Sequence, residues 1–131
     1  MKFAEAMDMA ASYKPVLLLA MLQLADERGR ARVSDLVFAF KQFYLNRIAI
    51  GLPPEKPKAR MSQVETMTDL EVERLVFAMP FERFERHGFF VRPKEVEFVA
   101  FAPEVWRRLS DEDKGQLRET AQSCLKTYFD R

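Results

Sequence analysis

The chain has 131 residues, 48% of them apolar, which is enough for one domain with a proper core and short for two. Its 21 Lys and Arg against 20 Asp and Glu leave a formal charge of +1, so the average composition gives no reason to expect a general polyanion binder and any electrostatic function has to come from local clustering. The single cysteine, Cys124, excludes an internal disulfide framework and falls beside Ala121 and Leu125 in a helical pattern, where apolar packing is its expected role.

Residues 1–11 read as a short lead without strong periodicity, in which Met7 and Met9 fit either a disordered segment or a cover for a partner surface. Acids at Glu5 and Asp8, with no apolar run before a cleavage-like site, speak against a secretory signal. The apolar run from Val16 to Leu22 is too short to span a bilayer, so the expectation is a cytoplasmic protein with no membrane partner.

A single domain is expected over 12–131. Ser12 can cap a first helix, Pro15 is tolerated in its first turn, and Gly29 ends it after about Glu27. Being apolar on almost every side, this helix belongs at the centre of the domain. Residues from Arg30 to Val33 suit a short strand, after which Ser34 and Asp35 open a second helix with an inward stripe that includes Leu36, Val37, Phe40 and Tyr44. Gly51 closes it. Residues 52–60 hold three prolines and no apolar periodicity, which predicts an extended surface loop.

Thr68 and Glu71 have capping-box spacing, and the helix they open runs until Pro80 forces a break. Phe81 and Phe84 recur at i and i+3 in the next short helix, which Gly88 ends. Two strand-like segments, FFVR and EVEFVAF, follow with a charged turn between them. A short helix starting near Pro103 and a final helix capped around Ser110 to Asp113 complete the chain. Helix, glycine and hairpin in that order outline a winged helix, so the fold expected is mainly α with a small β-hairpin, a winged-helix-like single domain.

Chemistry is sparse. One His and one Cys lie in segments with different local roles, and no spacing matches a metal site or a nucleophile motif. Four isolated glycines, at 29, 51, 88 and 115, offer no phosphate cradle. Asp111, Glu112 and Asp113 stand together at a helix start, where they complement the helix dipole. No catalytic residue, metal or cofactor is assigned.

Basic residues are concentrated instead. Residues 28–60 carry eight Lys and Arg against Asp35 and Glu55. Within them Arg28, Arg30 and Arg32 form one group and Lys56, Lys58 and Arg60 another, able to contact phosphates if the fold joins them. Arg83, Arg86 and His87 share one helix face, with Arg92 and Lys94 on the wing behind them, an arrangement suited to phosphate oxygens or guanine edges of double-stranded DNA. Glu82, Glu85, Glu95 and Glu97 interleave with these cations, so the alternative at this point is a solvated helix laced with ion pairs.

Several segments together resemble a module found at the C-terminal end of bacterial DEAD/DEAH-box, superfamily 2 helicases: SYKPVLLLA (12–20), DLVFAFKQFYLNR (35–47), GLPPEKP (51–57), MPFERFER (79–86) and Trp106 followed by Arg107, Arg108 and Leu109. The opening YKP-and-leucine pattern is also similar to modules beside HNH nuclease domains. The resemblance implies a phage-defence or DNA-transaction setting and a helper role next to a motor or nuclease. It carries over no catalytic residue, since the helicase motifs and HNH metal ligands do not occur here. The function expected is therefore a non-catalytic DNA-binding or DNA-positioning accessory module. The alternative is a protein-interaction module that docks on a helicase or nuclease, or a homodimerisation domain.

Overall fold

The computed structural model describes residues 11–131, so the expectations for Met7, Met9 and most of the lead lie outside the described residues. The fold is mainly helical, with one small antiparallel sheet.

Helix α1 (Tyr13–Leu24) is the axis of the domain: Leu17, Leu18 and Met21 are fully buried, and both α2 (Val33–Ala49) and α6 (Asp111–Phe129) pack along it. A helix apolar on all sides needs cover on all sides, and these neighbours supply it. Two expectations for its ends are corrected. The helix stops at Leu24, three residues before Glu27, because residues 25–29 fold back into a turn held by Asp26, whose carboxylate accepts from the backbone N–H of both Arg28 and Arg30 at 2.9 Å. Ser12 precedes the helix but makes no side-chain cap; its hydroxyl is committed elsewhere.

Gly29 closes that turn at φ 77°, a left-handed conformation that favours glycine. A Cβ there would also stand 2.7 Å from the ring of Trp106, whose Nε1–H donates to the Glu27 carbonyl at 3.0 Å. Strand β1 (Arg30–Arg32) follows and leads directly into α2, which begins one residue earlier than the Ser34 and Asp35 signal predicted. The reason lies across the sheet: the Val33 N–H donates to the Glu97 carbonyl at 2.8 Å and fixes the first helical residue.

After the Pro-rich loop a 3-10 helix (Arg60–Thr66) buries Met61 and Val64. Helix α3 (Asp69–Ala78) carries the predicted capping box, with the Thr68 hydroxyl accepting from the Glu71 N–H and the Glu71 carboxylate accepting from the Thr68 N–H. Pro80 ends it and starts α4 (Pro80–Arg86), which buries Phe81 and Phe84. Gly88, at φ 79°, turns the chain into β2 (Phe90–Val91) and β3 (Phe98–Phe101). Then come α5 (Pro103–Arg108) and α6, the latter opened by a Ser110–Asp113 capping box.

Beyond the hairpin expected between β2 and β3, strand β1 also pairs antiparallel with β3, giving the order β1-β3-β2. Pleating sorts the residues by face. Ala31, Val99, Phe90 and Phe101 are buried, and Phe90 extends an aromatic chain to Phe81 and Phe84 with ring centroids 5.4 and 4.8 Å away. Such pairs add about 0.5–1.5 kcal/mol each beyond burial, which ties α4 firmly to the sheet. On the opposite face, Arg30 and Arg32 each hold a guanidinium 4.9 Å from the Phe98 ring centroid.

Candidate nucleic-acid interface

Burial of Phe81 and Phe84 turns the rest of α4 outward, so Arg83, Arg86 and His87 are all exposed beside the hairpin. Their charges are not idle. Glu82 sits 3.3 Å from Arg86 and 3.8 Å from Arg83, and Glu85 sits 3.2 Å from Arg92. Arg92 also lies over the rings of Phe77 and Phe81, at 5.0 and 5.3 Å, which makes it a clasp between hairpin and helix. Lys94 is exposed in the loop joining β2 to β3. The ion-pair pattern is the one that the interleaved glutamates implied. Exposed pairs of this kind contribute about 0–1 kcal/mol each, so an incoming phosphate can replace the carboxylate at small cost.

The two other basic groups do not meet. Arg28, Arg30 and Arg32 follow the C-terminal end of α1, whereas the loop bearing Lys56, Lys58 and Arg60 is held at its N-terminal end through Ser12. Twelve helical residues separate those ends, roughly 18 Å at about 1.5 Å per residue. Arg28 is exposed, Arg30 pairs with Asp26 at 3.2 Å, and Arg60 pairs with Glu71 at 2.6 Å. Lys56 lies over the Tyr128 ring at 4.4 Å, and Lys58 is exposed.

The largest departure from expectation is in residues 52–60, read above as a surface loop. Glu55 in its middle is only 3% exposed. Its carboxylate accepts from the Ser12 N–H at 3.1 Å, from the Ser12 hydroxyl, and from the Tyr128 hydroxyl at 2.6 Å, while the Lys56 N–H turns back onto it at 2.7 Å. The Ser12 hydroxyl also meets the Tyr44 hydroxyl at 2.8 Å. One carboxylate thus joins the start of α1 to the end of α6, and through the Ser12 hydroxyl to Tyr44 of α2. Burial raises all three phenols above their ordinary range. At Tyr44 it acts with the nearby Glu55 charge, and at Tyr128 with the hydrogen bond to Glu55 as well as its charge. At Tyr13 it outweighs the backbone N–H of Met61, which donates to that hydroxyl at 3.1 Å.

A sequence signal for this network does exist. Tyr13, Tyr44 and Tyr128 all fall on inward helical phases, and buried tyrosines require partners for their hydroxyls. Tyr44 and Tyr128 call for buried acceptors, met by Ser12 and Glu55, whereas the Tyr13 hydroxyl serves as the acceptor for the Met61 N–H.

Among the described residues no group of three or more His, Cys, Asp and Glu is placed to hold a metal ion, and no helix is long and apolar enough to cross a membrane. Comparison with protein-family models, curated proteins and solved structures finds no match to this chain.

Proposed function

We propose that this chain is a winged-helix-like, non-catalytic module that binds or positions DNA beside a separate helicase or nuclease. The observation that carries this reading is the arrangement of α4, Gly88 and the β2–β3 hairpin on a sheet of order β1-β3-β2, with Arg83, Arg86 and His87 facing outward from the helix and Lys94 from the loop between the strands. A helix braced by an aromatic core and backed by a hairpin suits contact with a DNA groove and its flanking backbone. The resemblance of segments 12–20, 35–47 and 79–86 to a module of superfamily 2 helicases supplies the setting.

Duplex binding measured by fluorescence anisotropy at two salt concentrations tests it. Affinity should fall steeply with salt, and Arg83→Glu with Arg86→Glu should flatten the log–log slope by about one unit for each phosphate contact removed. A folded double variant with the parent's affinity and slope would refute the assignment.

Docking on a protein is the second reading, favoured by the tip of the hairpin. There Val96 is 91% exposed between Glu95 and Glu97, and carboxylates neighbouring an apolar tip repel phosphate. A chain that ignores DNA at low salt yet forms a stable complex with a helicase, a nuclease or its own twin would establish it.

A further inference from the structure

A second basic site lies on the Pro-rich loop and meets α4 only at its N-cap residue, Met79. Tyr13, Tyr128, Met79, Lys56, Lys58 and Arg60 are among the residues that line a cleft of about 620 Å³ beside the Pro-rich loop. The loop is pinned on both sides of its cations. Glu55 anchors it to Ser12 and Tyr128, and the Met61 N–H anchors it to the Tyr13 hydroxyl at 3.1 Å. The five residues between these anchors carry three positive charges. Among the described residues Arg60 has a carboxylate partner in Glu71, whereas Lys56 sits over an aromatic ring and Lys58 makes no ion pair.

Cations lining an apolar, tyrosine-bearing cleft complement a ligand with an anionic head and a flat, weakly polar body. We propose that this cleft binds a nucleotide, its phosphate on Lys56 and Lys58 and its base against Tyr13, Pro57 and Met79. Phosphate recognition by lysine is that of a point charge with rotatable donors and needs no bidentate geometry. The two anchors matter because a loop already ordered loses little conformational freedom when it closes on the ligand.

The cations of this cleft are distinct from those of α4, and the experiment keeps the two sets apart. Amide and tyrosine-ring NMR signals of the full chain are followed during titration with adenosine monophosphate, adenosine and inorganic phosphate. Shifts should cluster at residues 56–60, Tyr13 and Tyr128, with the monophosphate binding at least about tenfold tighter than adenosine or phosphate alone, as expected when a charged head and an apolar body each contribute. Lys58→Glu, at an exposed position with no packing role, should weaken the monophosphate by about tenfold and leave adenosine unchanged. Equal affinity for monophosphate and adenosine, an unaffected Lys58→Glu variant, or shifts confined to α4 would overturn the site. Inorganic phosphate binding as tightly as the monophosphate would overturn the role of the base. Nucleotide binding without duplex binding would leave this cleft standing and remove the DNA reading above; duplex binding without nucleotide binding would do the reverse.

Discussion

Replacing Glu55 with alanine is the most informative stability experiment this fold offers, because the cost can be counted donor by donor. Truncation removes the acceptor for the Ser12 N–H and the Tyr128 hydroxyl, on residues 0% and 3% exposed. The Ser12 O–H loses its acceptor as well, and because the Ser12 oxygen accepts from the Tyr44 hydroxyl, one proton of that pair is left without a partner, while the Lys56 N–H belongs to a partly exposed residue that water can reach. Three donors are thus orphaned, at about 1–3 kcal/mol each. With partial relaxation of the loop the expected loss is about 3–5 kcal/mol, a large share of the roughly 5–15 kcal/mol that holds a domain together. In urea unfolding the midpoint should drop with little change of slope, and the melting temperature should fall by roughly 10–15 °C. Glu55→Gln is the control: its carbonyl can serve one donor while the rotatable hydroxyl turns to accept from the amide, so it should lose about half as much as alanine. An alanine variant within about 0.5 kcal/mol of the parent would refute the donor count, as would a glutamine variant no better than alanine.

Gly29→Ala and Gly51→Ala separate backbone strain from steric conflict, since both glycines have φ near 80° but only Gly29 faces a ring, the Trp106 indole at 2.7 Å. In thermal melts the Gly51 variant should lose about 1 kcal/mol, and the Gly29 variant about 2–4 kcal/mol once overpacking is added. Equal losses would mean that Trp106 moves aside freely. Alkaline pH should unfold the protein: the phenols of Tyr13, Tyr44 and Tyr128 are raised above 10 in the fold, so their contribution is complete below the unfolded value and is lost as pH rises through the folded ones. Stability followed by urea unfolding from pH 9 to pH 11 should decline from about pH 10 upward, less steeply in Tyr44→Phe. A flat profile would contradict the burial of these hydroxyls.

The elements were legible in the sequence where local chemistry decides them. The capping box at Thr68–Glu71, the cap at Ser110, the glycines at 51 and 88, and the Pro80 break all stand as the residues predict, because each acts within a few positions along the chain. The start of α2 lies one residue before the Ser34 and Asp35 signal because a partner across the sheet, the Glu97 carbonyl, sets it. Ser12 has the composition of a cap and is used instead as a bridge to Glu55 and Tyr44, 43 and 32 residues away in the sequence. Loop 52–60 looked solvated because proline and charge normally mean surface. Only the inward phases of Tyr44 and Tyr128, read together, require a buried acceptor.

The candidate interface was legible as a list of cations and not as a division of labour among them. Arg92 shows why. On sequence it is a wing residue free to reach a backbone, but its guanidinium is 3.2 Å from Glu85 and lies over Phe77 and Phe81, so it spans hairpin, α3 and α4 at once. An arginine used in this way contributes packing as well as charge, and moving it onto a phosphate would uncover both rings. Arg83 and Arg86 share a single carboxylate on their own helix, and releasing Glu82 uncovers nothing apolar. Loss of Arg92 therefore acts on how the hairpin sits against α4, whereas Arg83 and Arg86 pair only with Glu82 on their own helix, so their replacement is expected to leave the hairpin's seat unchanged.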